Sequence, residues 1–129
     1  MDAQRLRAIP LFATLSRRDA EQVARWADEV DVPAGKHLVE QGRFAHEFFA
    51  IVSGTAEVLV DGERVAELGP GDFFGEIALL EHQRRSATVT ATTPITAIAM
   101  HERDFHAMAE TMPAVCDGIT AAMRERLSR

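Results

Sequence analysis

The feature that most limits the fold is a series of short strand patterns between Val30 and Met100, separated by turns that contain glycine or proline. From residue 56 to residue 60, apolar side chains recur at every second position, which is the period of a strand. Asp61-Gly62 predicts a two-residue hairpin turn, because both central positions of that turn favour positive φ. Many short strands joined by such turns predict an antiparallel sandwich or jelly roll. The predicted strands cover residues 36–40, 48–53, 55–60, 65–68, 87–92 and 95–100.

Helical patterns flank this region. Ser16 followed by Asp19 resembles a helix N-cap, and apolar residues at helical spacing predict an amphipathic helix over residues 17 to 27. Residues 102–111 and 114–128 predict two further helices, separated by a break at Met112-Pro113. The predicted class is mixed but mainly β: an antiparallel β jelly-roll barrel with one N-terminal helix and two C-terminal helices. We expect a single domain over residues 1–129, with a helical lead-in to about 28, a β-roll over about 29–100 and helices over about 102–128.

Charge and cysteine content exclude several classes of protein. The chain has 14 basic and 20 acidic residues, a net charge of −6, which disfavours non-specific binding to nucleic acids or anionic membranes. A bound anion would therefore need a local positive potential. The single cysteine, Cys116, cannot form an intramolecular disulfide, which fits a cytoplasmic protein. The N-terminus has no apolar signal-peptide core, and no stretch of 18 apolar residues predicts a membrane span.

One segment predicts an anion site. It runs Gly69-Pro-Gly-Asp-Phe-Phe-Gly-Glu-Ile-Ala-Leu-Leu, then Glu-His-Gln and Arg-Arg-Ser-Ala-Thr-Val. A glycine-rich approach to one or two helical turns exposes backbone N–H groups, which bind anions together with the helix dipole. Arg84 and Arg85 follow, and a guanidinium matches two phosphate oxygens. Ser86 can donate another hydrogen bond, whereas Glu76 suits a hydroxyl such as a ribose 2′-OH.

This segment resembles the phosphate-binding cassette of the cyclic nucleotide-binding domain family. That family includes kinase regulatory subunits, the catabolite activator protein and the cytoplasmic domains of cyclic-nucleotide-gated channels. The resemblance implies a short internal helix in the cassette and a phosphate held by the amides of Gly75, Ile77 and Ala78. It implies that Glu76 binds the ribose 2′-hydroxyl.

The resemblance also assigns further ligand contacts. Adjacent residues of a strand point to opposite faces, so only one of Arg84 and Arg85 can face the site, and the family register selects Arg85. The resemblance implies that Ser86 contacts the phosphate, that Val58 and Ala66 contact the purine, and that Ala87 also belongs to the site. From the last helix, Arg126 is a candidate for stacking on the purine. Arg124 and Thr120 are alternative contacts for the base, and Val58 and Ala66 can equally be core residues.

The predicted function is a regulatory sensor that binds cyclic AMP and responds through its C-terminal helix, with cyclic GMP as an open alternative ligand. The sequence offers no nucleophile–base pair and no acid/base carboxylate pair, so we expect neither catalysis nor a cofactor. The histidines are scattered, which disfavours a metal-dependent barrel enzyme.

Other interpretations of the protein's role and of its partners remain open. A ligand-free interaction module that retains the fold is the main alternative. The expected partner is an effector protein in trans or the rest of a longer chain, and a homodimer is a further option. Direct DNA binding is disfavoured, since the sequence leaves no room for a helix-turn-helix after the last predicted helix.

Overall fold

The computed structural model describes residues 1–75 and 84–127, with side chains described as far as Ile119 and for Ala121. Its helices are α1 (Ala3–Arg7), α2 (Arg17–Trp26), α3 (Glu102–Thr111) and α4 (Pro113–Leu127), with a 3-10 turn at Pro10–Phe12. Its strands are β1 (Ala27–Val32), β2 (His37–Val39), β3 (Glu47–Ser53), β4 (Ala56–Val60), β5 (Glu63–Leu68), β6 (Phe73–Phe74), β7 (Thr88–Ala91) and β8 (Ile95–His101).

The predicted helices are confirmed to within one residue at each end. The hydroxyl of Ser16 accepts the backbone N–H of Asp19 at 3.1 Å, so the predicted N-cap of α2 is present. Helix α1 was not predicted from the sequence. It has five residues, and the carboxylate of Asp2 caps it by accepting the N–H of Gln4. The N-terminal part therefore contains two helices and a 3-10 turn in place of one helix.

Strand β1 was also missed. It begins at Ala27, directly after α2 ends at Trp26, and so two residues before the predicted start of the β-roll. Asp28, Glu29 and Asp31 occupy half of this strand, and acidic residues are depleted in strands. The pairing that holds β1 in place comes from β8, along a continuous register from Ala27 opposite Met100 to Val32 opposite Ile95.

The described strands form two antiparallel four-stranded sheets. The first has the order β1-β8-β3-β6 and the second the order β2-β7-β4-β5. Asp61 and Gly62 join β4 to β5 with φ values of 53° and 81°, which confirms the predicted hairpin turn. The non-consecutive strand order and the two facing sheets agree with the predicted jelly-roll class.

The two central strands of the first sheet, β3 and β8, are buried on both faces. Phe48 and Ala50 of β3 pack with the helices, whereas Phe49 and Ile51 pack between the two sheets. This double burial explains why β3 is a continuous apolar run and not an alternating pattern. Within the described part of the chain, no helix is long and apolar enough to cross a membrane.

Candidate ligand-binding site

The centre of the site is the contact between Arg85 and Gly75. The side chain of Arg85 is 7% exposed, which is low for an arginine. Its Nη1 donates to the carbonyl of Gly75 at 3.1 Å, and its Nη2 donates to the carbonyl of Glu47. Gly75 directly follows β6, and Glu47 is the first residue of β3. Arg85 therefore lies where the two segments meet, with its charge held by main-chain dipoles.

Gly75 has a backbone that other residues rarely adopt. Its φ is +94°, in the region that favours glycine. A Cβ atom at this position would lie 2.7 Å from Nη1 of Arg85 and 2.9 Å from the carbonyl oxygen of Glu47. The absence of a side chain is thus a requirement both of the turn and of the close approach of Arg85.

The side chains of Arg84 and Arg85 diverge, as the sequence predicts. Arg84 is exposed, its guanidinium lies 4.1 Å from the ring centre of Phe44, and its Nη1 donates to the carbonyl of Gly42 at 3.0 Å. The main chain around them is held in place, because the N–H of Arg85 donates to the carbonyl of Arg43 at 2.8 Å. Arg85, the arginine that the family motif assigns to the ligand, is thus the buried member of the pair.

Four other predicted site residues are described. Ser86 is exposed and Ala87 is half-buried, directly after Arg85 and before β7 begins. Val58 and Ala66 lie opposite each other in the β4–β5 ladder, and Val58 packs partly against the core between the sheets. Ala66 is exposed, although it is an apolar residue in a strand. Exposure of Ala66 is compatible with a surface that a ligand covers.

The remaining predicted residues lie outside the described part of the chain. Glu76, Ile77, Ala78 and the predicted internal helix fall in residues 76–83. Arg126 belongs to α4, but its side chain is outside the described set, as are those of Arg124 and Thr120. Their assigned contacts therefore stay predictions.

A cleft of about 300 Å³ opens beside Arg85. Its described lining combines charged, imidazole and apolar side chains from β2, β3 and the loop between them, among them His37, Val39, His46 and Phe49. Among the described residues, no group of three or more histidines, cysteines or carboxylates is placed to hold a metal ion. The arrangement offers a buried cation at the edge of a cleft that has both polar and apolar walls, which suits an organic anion.

The part of the candidate site that β3 provides was not predicted from the sequence. Glu47 contributes its carbonyl oxygen, a group that every residue has, so its identity carries no signal. Phe49 faces the core between the sheets, where its ring lies 5.2 Å from that of Phe74, and it also lines the cleft. The pairing of β3 with β6 brings these residues close to the segment that ends at Gly75, and so to Arg85.

Comparison with known proteins identifies the family. A model of the cyclic nucleotide-binding domain matches residues 29–112, and the chain belongs to this family of regulatory binding domains. The chain is 33% identical over 123 residues to a cyclic nucleotide-gated potassium channel of Rhizobium etli, covering 95% of this chain and 34% of the channel. It is 34% identical over 92 residues to the cAMP-dependent protein kinase regulatory subunit of Emericella nidulans, covering 70% of this chain and 22% of that protein.

A solved structure supports the same assignment. The catabolite activator protein of Thermus thermophilus superimposes with a TM-score of 0.80 at 27% identity, covering 92% of this chain and 58% of that chain. The family resemblance and the jelly-roll class predicted from the sequence are confirmed. The chain spans about a third of the length of the first curated relatives it matches.

Proposed function

We propose that this chain is a regulatory module that binds cyclic AMP and transmits the binding event through its C-terminal helices. The observation that carries the proposal is the buried guanidinium of Arg85 beside Gly75, at the edge of a cleft. In a chain with a net charge of −6, this is a local cation suited to a cyclic phosphate. Cyclic AMP is preferred over cyclic GMP because Ser86 occupies the hydroxyl position and because one relative is named as cAMP-dependent.

The other contacts of the proposed complex follow the family pattern. Glu76 accepts a hydrogen bond from the ribose 2′-hydroxyl, and the amides of Ile77 and Ala78 bind the phosphate. Val58 and Ala66 form an apolar surface for the purine, since they lie opposite each other in one ladder. Arg126 stacks on the purine from the last helix.

The proposed output is a conformational signal and not a chemical reaction. A ligand shifts an equilibrium only by its difference in affinity for the two states, so cyclic AMP must bind one arrangement of the C-terminal helices more tightly. The proposed recipient is an effector in trans or another part of a longer protein. The proposed location is the cytosol, for which the single cysteine is the support.

Isothermal titration calorimetry with cyclic AMP, cyclic GMP and linear 5′-AMP tests this function. Linear AMP has the same base and sugar but lacks the cyclic phosphate diester, so it controls for binding of adenosine alone. We expect cyclic AMP to bind most tightly and 5′-AMP at least about tenfold more weakly, a difference of about 1.4 kcal/mol. The absence of binding by either cyclic nucleotide would contradict the proposal and favour a ligand-free interaction module.

A further inference from the structure

Gln41, in the loop between β2 and β3, joins two parts of the fold that carry the candidate site. Its side-chain Nε2 donates to the carboxylate of Asp61 at 2.9 Å, and its Oε1 accepts the backbone N–H of the same residue at 2.9 Å. One amide group thus makes two hydrogen bonds to one residue, 20 positions away in the chain. Asp61 lies at the tip of the β4–β5 hairpin, which carries Val58 and Ala66.

The main chain of the same loop is bound to the segment of Arg85. The N–H of Gly42 donates to the carbonyl of Arg85, and the N–H of Arg85 donates to the carbonyl of Arg43, both at 2.8 Å. The N–H of Gln41 itself donates to the hydroxyl of Thr88, the first residue of β7, at 3.0 Å. The position of Gln41 is therefore set by the segment that runs from Arg85 into β7.

The tip of the hairpin extends beyond the strand that pairs with it. Strand β4 pairs with β7 from Ala56 to Leu59, and Leu59 lies opposite Thr88. Strand β5 is at the edge of the second sheet, next to β4. Asp61 has a φ of 53°, a left-handed backbone that few residues other than glycine adopt. The two bonds from Gln41 therefore support this turn at the point where the ladder with β7 ends.

We infer that Gln41 is a positioning residue of the candidate site, which sets the spacing between the guanidinium of Arg85 and the ladder of Val58 and Ala66. The inference rests on the proposed function, in which one nucleotide contacts the arginine with its phosphate and the ladder with its purine. A site that already holds both groups at the correct spacing binds such a ligand without the cost of ordering the hairpin. Gln41 acts through Asp61 and not by touching the ligand.

Reversal of the donor and the acceptor in this pair tests the role of Gln41. Gln41→Glu keeps an acceptor for the N–H of Asp61, but it removes the donor and places two carboxylates side by side. Adding Asp61→Asn restores the pair in reverse, because the asparagine amide donates to the glutamate. Asparagine also tolerates a left-handed backbone, so the turn before Gly62 is retained. Both positions are exposed, and we expect all variants to fold.

A second double variant controls for charge. Gln41→Glu with Glu63→Gln has the same net charge as Gln41→Glu with Asp61→Asn, but it does not restore the hydrogen bonds. Glu63 is exposed and lies opposite Val60, next to the turn. Isothermal titration calorimetry should give a cyclic AMP affinity about fivefold lower in Gln41→Glu than in the unmodified chain. The affinity should return to within about twofold in the rescued variant and stay at least about threefold lower in the charge control.

Two results would overturn the role of Gln41. Equal affinities of the two double variants would show that charge alone explains the loss. An unchanged affinity in Gln41→Glu would show that the spacing of the hairpin does not limit binding. If the unmodified chain bound neither cyclic nucleotide, the proposed function and this inference would both fail, whereas binding without rescue contradicts the inference alone. The two failures are therefore distinguishable.

Discussion

The guanidinium of Arg85 lies so close to Gly75 that it leaves no room for a side chain on that residue. A Cβ atom on Gly75 would lie 2.7 Å from Nη1 of Arg85, well inside van der Waals contact. The glycine thus creates the space in which the cation lies, and the cation in turn bonds to the glycine's carbonyl. The turn and the arginine therefore form one structural unit.

Replacing Gly75 by alanine is expected to destabilise the fold more than the same change at Gly35. Both residues have positive φ, +94° and +87°, but a Cβ at Gly35 would meet no atom within 4 Å. Left-handed backbone strain costs about 1–2 kcal/mol at either site, and overpacking adds about 1–3 kcal/mol at Gly75 alone. Urea unfolding of the two variants measures the difference. Equal losses of unfolding free energy would show that Gly75 serves only the turn.

The packing of α3 on β3 predicts that alanine replacements of two phenylalanines lower the unfolding free energy by very different amounts. Phe105→Ala should lower the unfolding free energy by about 3–5 kcal/mol, because the ring is completely buried against Phe48. Phe44→Ala should cost at most about 1 kcal/mol, since the ring is 64% exposed and its described contact is with Arg84. Chemical denaturation of both variants checks this, and comparable losses would contradict the described position of α3.

The hydroxyl of Ser86 is expected to contribute to binding but not to folding. Ser86→Ala should weaken cyclic AMP binding by about 0.5–1.5 kcal/mol, the usual value of one hydrogen bond. Its unfolding free energy should change by less than about 0.5 kcal/mol, because the side chain is exposed. Ser53→Ala, another exposed serine at the end of β3, is the control and should bind normally. An unchanged affinity in Ser86→Ala would remove this residue from the site.

Much of the fold could be predicted from local signals. The Ser16 cap, the Asp61-Gly62 turn and the break at Pro113 each act through bonds within a few residues, and all three lie where the sequence places them. Strand β1 could not be predicted in this way. Its acidic composition opposes a strand, and its pairing with β8 joins residues about 70 positions apart, such as Ala27 and Met100.

In the candidate site too, local sequence signals predict some contacts, whereas others depend on residues that are far apart in the chain. Gly75 and Arg85 are ten positions apart, and a local motif indicates that they act together. The contact between Arg85 and Glu47 spans 38 positions and uses a carbonyl oxygen, so neither spacing nor residue type signals it. Glu47 also lies opposite His101, the N-cap of α3, and this neighbourhood exists only because β3 pairs with β8.

The most direct test of the account is a titration of Arg85→Ala and Arg84→Ala with cyclic AMP. Each variant loses one arginine from adjacent positions, but only Arg85 lies against Gly75. We expect Arg85→Ala to lose about 2–4 kcal/mol of binding free energy, about 30- to 700-fold in affinity, because a charge-assisted contact with the phosphate is removed. Arg84→Ala should bind within about twofold of the unmodified chain. Equal affinities for the two variants would contradict the assignment of this site.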